Sequence, residues 1–475
     1  MAAVMWSRCQ KVHGRLSRLK PLQKHSTSCF FSTQVVQVDK EVHYPPIKPR
    51  YPPGEWGYMA PTVAWEWQDG MDEIRKTTSL KDRLKRLCEI PERHIWNIQA
   101  MTNEPYMLPY QQYVTKTHLI KGLPDLYNTM DVEKELDNLR PAIIDLILFE
   151  NGAVDREKWL KKTGQSWLHS SHKAQCFVGQ LLHTLMSGLS MSGKCDYLMK
   201  GQFDESVRVA GHWHRHGLRK KGKQHPLHPR PQHAGIQIDY LADCQIRVEK
   251  PLAPFLPKED VVCREGHYPD YQYDPVVMGL YSHFTKPTLI AGHWSEDPCP
   301  FGLLSAHVTN MCHQLEPKFG TDVVRDIITG YGILAAFSWQ LSLAHYQGFN
   351  MYLDLTYPFC GQSILTNGKS FRFMAYQLNT LHLWKDDQSN PIRNICWQTE
   401  EINMFDRVEN GEVKGLNDDV LRIILRFLMN APRSDDIDLK PAFTEGFTSP
   451  HLQWPYIADK PPPPAPVKEL PLYVE

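Results

Sequence analysis

The stretch QSILTNGKSFRFMAYQLNTL, residues 362–381, decides how the rest of this chain is read. Asn367-Gly368 is a dipeptide that tolerates the positive φ angles of a type I′ turn, so the flanking segments are expected to fold back as two antiparallel strands. Phe371, Phe373 and Ala375 alternate with Arg372, Met374 and Tyr376, as in a sheet with one buried face. Gly368-Lys369-Ser370 also looks like the end of a phosphate-binding loop. That motif needs a glycine five residues before its second one, where this chain has Ser363; Gly361 is two residues off, and no nucleotide site is predicted.

Downstream, Asn417 can cap a helix whose first turn carries Asp418 and Asp419, where the helix dipole favours anions. Val420, Leu421, Ile424, Leu425 and Leu428 give it a broad apolar stripe, and Arg422 and Arg426 share a polar face that reads as solvated. Upstream, Ile327 to Ala344 has no formal charge and is just long enough to test as a membrane span. It contains Thr329, Gly330, Gly332, Ser338, Gln340 and Ser342, while Ile327, Leu334, Phe337, Leu341 and Ala344 fall on one helical side. A buried core helix is therefore expected, and no membrane span.

The whole chain has 475 residues, with an apolar share of 42% that is ample for a core. Lys plus Arg equals Asp plus Glu at 53 each, a balance that hides an asymmetry. Arg8, Lys11, Arg15, Arg18, Lys20 and Lys24 precede the first acid, Asp39; without these six the count is 53 − 6 = 47 basic against 53 acidic. A basic, acid-free, Ser/Thr-containing start with no long apolar run resembles a mitochondrial presequence, assigned to residues 1–33; a basic tail that binds nucleic acid is the other reading. The 11 cysteines form no Cys-x-x-Cys pair, the pattern of reduced, buried thiols rather than a disulfide framework.

Residues 34–70 carry Tyr44-Pro45-Pro46, Tyr51-Pro52-Pro53, Trp56, Trp65 and Trp67. This is an extended arm, laid either on a partner or on its own domain, with rings as anchors. Helices are predicted over Asp72–Ile90, over Asp131–Phe149 with a break or kink at Pro141, and over about Lys173–Leu189, making 71–200 a mainly helical region. From 206 to 238 there is no acid, but there are Arg208, Arg215, Arg219, Lys220, Lys221, Lys223 and Arg230. Glycines and prolines mark this stretch as a basic loop, suited to phosphate-backbone contact and equally consistent with a solvated surface loop.

His212, His214 and His216 alternate and on a strand would share a face, but no carboxylate or cysteine stands nearby and the flanking cations would repel a metal. A second group, His293, Cys299, His307, Cys312 and His313, has no recognised finger spacing. No nucleophile elbow, His-Glu-x-x-His or Gly-x-Gly-x-x-Gly motif is present. Neither a catalytic residue, a cofactor nor a metal is therefore predicted; an enzyme here would need a site assembled only by the fold, around 293–313. Residues 433–475 are acidic, then proline-rich, and form a tail that closes no core of its own.

Several stretches together carry a resemblance. YQLNTL (376–381), NPIRNICW (390–397) and VKGLNDDVL (413–421), with YVTKT (113–117), GLP (122–124), DPC (297–299) and YQGF (346–349), resemble the programmed cell death protein 9 family of mitochondrial ribosomal proteins. The likeness runs in order along most of the chain and is densest in the last third. It implies a structural constituent of the mitochondrial ribosome in the matrix, without catalysis, associated with the large subunit despite an older small-subunit name. Its partners would be mitochondrial ribosomal RNA and neighbouring ribosomal proteins, including the paralogous family member L-thirty-seven. That paralogue is the nearest confusion, and the YQLNTL and NICW stretches favour resemblance to the member with the older small-subunit name. Within this reading the RNA contacts fall to Arg208, Arg215, Arg219, Lys220, Lys221, Lys223 and Arg230. The fold expected is α+β: a helical N-terminal half, then a core over 201–432 in which an antiparallel sheet element packs on helices, with extended arms at both ends.

Overall fold

Parallel strands need long connections between them, and the long helical segments between this chain's strand-forming segments supply those connections. The computed structural model describes residues 76–79, 82, 95–98, 105–152, 166–217, 233–270, 281–283, 289–290, 297–351, 353–433, 435 and 437–439. The expected presequence, the Pro/aromatic arm and most of the helix over Asp72–Ile90 lie outside them, as does the chain after residue 439.

The strands are β1 (Ile95–Ile98), β2 (Thr117–Lys121), β3 (Gln202–His216), β4 (His233–Val248), β5 (Tyr281–His283), β6 (Leu289–Ile290), β7 (Phe301–Val308), β8 (Phe359–Thr366), β9 (Ser370–Leu378), β10 (Asn394–Gln398) and β11 (Ile402–Asn403). They join one 11-stranded sheet in the order β2-β10-β9-β8-β7-β4-β1-β5; β11 pairs with β9, and β3 lies between β4 and β6. The antiparallel element expected around the hairpin is present as β8–β9–β10, while the sheet as a whole is mixed, because β1–β4, β2–β10 and β7–β8 are parallel. A separate small ribbon pairs β12 (Arg407–Glu409) with β13 (Glu412–Lys414).

The helices are α1 (Leu108–Thr115), α2 (Leu126–Thr129), α3 (Glu133–Gly152), α4 (Ser166–Met191), α5 (Asp196–Lys200), α6 (Val261–Glu265), α7 (Asn310–His313), α8 (Glu316–Phe319), α9 (Thr321–Tyr346) and α10 (Asp418–Met429). Of these, α3 and α4 correspond to two of the expected helices. Pro141 sits inside α3 without ending it: Leu136 before it and Ile143 and Ile147 after it are all buried, and that burial outweighs the lost backbone bond. The N-terminal half is nevertheless not a helical half. Its described part contributes β1 and β2 beside its helices, and β3 starts directly after α5, so strands and helices are interleaved through the described residues.

The 362–381 hairpin exists as β8–β9, in register from Phe359↔Leu378 to Thr366↔Phe371. Its turn differs from the expected type. Only Gly368 has positive φ, at 92°, and the Asn367 side chain instead accepts from the N–H groups of Lys369 and Ser370. The expected alternation is real, but both faces are covered. Phe373 meets Phe427 of α10 on one side at 5.6 Å, and on the other Tyr376 meets Phe337 of α9 at 6.4 Å. Gly332 and Gly361 let α9 approach the sheet so closely that a Cβ there would strike Met374 or Gln340. Residues Ile327 to Ala344 of α9 are all buried, so the one helix long and apolar enough to cross a membrane is the central core helix.

Candidate nucleic-acid interface

The basic run over 206–238 is not a loop throughout. Val207, Val209 and Trp213 on β3, with Ile236 and Ile238 on β4, are core residues, so the two strands pair from Gln202↔Arg247 to His216↔His233. Arg208 lies on this ribbon, about half exposed at 49%, and its guanidinium grips Asp239 at 2.9 and 2.6 Å. Arg215 is buried; as placed it is a core cation, not a surface contact. It donates to the carbonyls of Tyr113 and Leu383 and to the Tyr268 hydroxyl, and lies over the Tyr113 ring at 4.1 Å. The remaining predicted contacts, Arg219, Lys220, Lys221, Lys223 and Arg230, fall within 218–232, outside the described residues.

The histidines separate as well. His214 is buried, and the His212 ring meets His345 of α9 at 5.7 Å. Of the second group, His293 lies outside the described residues. His307 is wholly buried between Ser305, at 3.1 Å from Nε2, and the Tyr331 hydroxyl, at 3.3 Å from Nδ1, and burial pushes its pKa down to about 3. Cys312 is also fully buried, with its thiol pushed up to about 12 by that burial. Cys299 bonds the Lys200 carbonyl and His313 pairs with Glu316, so each residue serves its own neighbourhood. Among the described residues no group of three or more His, Cys, Asp or Glu is placed to hold a metal ion.

What the fold does bring together is a knot of buried amides and hydroxyls that motif searching had no pattern for. Asn394 of β10 donates to the Thr115 carbonyl and from its own backbone N–H to the Lys116 carbonyl, and its side-chain oxygen accepts from the N–H groups of Asn379 and Thr380. Asn379 returns a bond to the Arg393 carbonyl at 2.8 Å, and Asn390 donates to the Thr380 hydroxyl at 3.0 Å. Thr117 and the Tyr376 hydroxyl share a bond of 2.7 Å. Three stretches that carry the resemblance, YVTKT, YQLNTL and NPIRNICW, thus meet at one point although more than 250 residues separate the ends of the Lys116–Asn390 contact. The DPC stretch is a second such point: Asp297 and the Cys299 carbonyl hold Arg247, which also reaches Asp204 and Gln202.

These stretches are therefore built into the scaffold. A family model described as mitochondrial 28S ribosomal protein S30 (PDCD9) matches residues 15–432. The chain belongs to that family. Among its relatives is the large ribosomal subunit protein mL37 of Gallus gallus, 20% identical over 376 residues that cover 76% of this chain and 74% of the relative. The match spans β1 through α10, and so includes both the amide knot and the Arg247 centre. As a member of the family, the chain is a structural component of the mitochondrial ribosome and resides in the mitochondrion.

Proposed function

We propose that this family member is a non-catalytic scaffold of the large subunit of the mitochondrial ribosome, holding ribosomal RNA and adjacent ribosomal proteins in place. The likeness to a protein named for the large subunit, over three quarters of both chains, is the observation that carries this reading. The family's descriptive name speaks of the small subunit, so subunit assignment is the point to test. The buried state of His307 and Cys312 supports a non-catalytic role, since a substrate would have to open the core to reach either one. RNA contact falls to Arg219, Lys220, Lys221, Lys223 and Arg230, together with Arg208 on β3; five cations without an acid give the charge density that phosphate binding needs. Residues 1–33 serve as the presequence, and the paralogous family member is a neighbour in the assembly.

The test is a sucrose gradient of lysed mitochondria in EDTA, which separates the subunits, with the chain followed by mass spectrometry. Co-sedimentation with the large-subunit peak is expected, with peptides starting after about residue 30 as a presequence of ordinary length predicts. Recovery with the small subunit, or only in light fractions, would overturn the assignment.

A further inference from the structure

Beside the amide knot two cations, Lys116 and Arg393, converge on one carboxylate, with a third, Arg215, in the same cluster. Lys116 ends α1 in the left-handed conformation, is wholly buried, and sends its ammonium to the Asn390 carbonyl and to Asp387 at 3.1 Å. Arg393 reaches the other oxygen of Asp387 at 3.0 Å, and its guanidinium lies over the Tyr268 ring at 4.9 Å. The Tyr268 hydroxyl donates to Asp387 as well, at 2.8 and 2.9 Å. Arg215 lies over the far part of the same cluster and has only neutral acceptors, two carbonyls and the Tyr268 hydroxyl. The Arg393 Nε is buried without a hydrogen-bond partner.

Positive charge is thus in excess at the centre of this cluster. Burial pushes Lys116 down to about 8, with Arg393 and Arg215 adding to the effect against the pull of Asp387. Asp270 acts on Tyr113 and Asp386 on Lys116 through space, and Asp386 is turned onto the N–H of Ser389. Asp387 rides on an exposed turn and is itself 48% exposed, so the anion that completes the cluster is the part open to solution. A backbone phosphodiester presents two anionic oxygens in the same fork geometry as a carboxylate, so it can stand where the Asp387 carboxylate stands on Arg393.

We propose that Asp387 is the placeholder of a phosphate-contact site, at which Arg393 meets a backbone phosphate of ribosomal RNA, with the buried Lys116 behind it adding positive charge, when the protein is in its assembly. This rests on the RNA-binding reading above and adds a specific point of contact to it. The site lies where β3 ends: His216 N–H donates to the Leu383 carbonyl, and the Tyr113 hydroxyl donates to the His216 carbonyl.

The experiment is a salt titration of the full chain against a fluorescently labelled RNA duplex, followed by anisotropy, with Arg393→Gln, Asp387→Asn and the double variant. Urea unfolding midpoints monitor the fold of each. Arg393→Gln is expected to lower the slope of log K against log salt by about 1, the loss of one phosphate contact. Asp387→Asn is expected to bind at least about threefold tighter, by removing the competing carboxylate, and the gain is expected to vanish in the double variant. Folded variants with wild-type affinity and slope would overturn the site while leaving the RNA-binding reading standing. A gain from Asp387→Asn that survives in the double variant would overturn it as well, since it would be a general charge effect. If Asp387→Asn does not fold, the slope of Arg393→Gln decides alone. No binding by the wild-type chain at any salt would overturn both readings together.

Discussion

Arg247 shows what single residues do in this protein. It is fully buried on β4 and its guanidinium is saturated by Asp204 at 3.0 Å, Asp297 at 2.6 Å, the Cys299 carbonyl at 2.9 Å and Gln202 at 2.9 Å. A charge so placed repays its desolvation only through that complete set, and removing it strands Asp297 in the core. Arg247→Met is expected to cost about 3–5 kcal/mol in urea unfolding, and a loss below about 1 kcal/mol would refute the argument. Two histidines act through pH, His307 in the core and the partly buried His345. His307 and His345 both have folded pKa values pushed down to about 3, chiefly by burial, from an ordinary 6.5. The unfolded chain then binds more protons between those limits, so their stability is fully present above about pH 6.5 and falls as pH drops toward 3. Between pH 7 and 4.5 each costs on the order of 2–3 kcal/mol, a loss that His307→Asn should reduce relative to wild type in parallel urea titrations.

At the scale of elements, the two best-marked local signals behave differently under mutation. Gly368 has φ 92° and an added Cβ would sit 3.0 Å from the Cβ of Ala174 on α4, so Gly368→Ala meets both backbone strain and crowding. An exposed glycine with the same φ would meet only the first, and the loss here is expected to be about 2 kcal/mol. Asn417 caps α10 by accepting from the Asp419 N–H at 3.0 Å, and Asn417→Ala should cost about 1 kcal/mol. Thermal shifts for the two, ranked in the opposite order, would show that the turn tolerates the side chain. The hairpin, the cap and α9 were legible in sequence because each is specified by neighbours along the chain. The strands β3 and β4 were not: their arginines and histidines read as a loop because the groups that neutralise them are distant in sequence. Arg208 finds Asp239 31 positions on and Arg215 finds Tyr113 102 positions back, which no local window contains.

The described body is closed by contacts of this distant kind, and residues just past the family match take part in them. Family likeness stops at residue 432, but the chain after it continues to serve the body. Pro432 bridges Leu252, the Arg433 N–H donates to the Pro251 carbonyl, and the Tyr357 hydroxyl donates to the Leu439 carbonyl at 2.9 Å. Ile437 and Leu439 pack against the core as partly buried side chains. Composition marked this stretch as the start of an acidic, proline-rich tail, since isolated apolar residues among charges give no period to read. Its role follows from Tyr357, whose ring stacks on Phe359 at 5.1 Å and whose hydroxyl needs an acceptor at this edge. A chain ending after Leu439 keeps all of these contacts and is the reference for the shorter one. One ending after Pro432 should lose about 1–3 kcal/mol, from two half-buried side chains and one hydrogen bond to a buried tyrosine. If both truncations unfold alike, residues 433–439 contribute nothing to the body and the folded unit ends with the family match; if both lose stability, residues beyond 439 also bear on it.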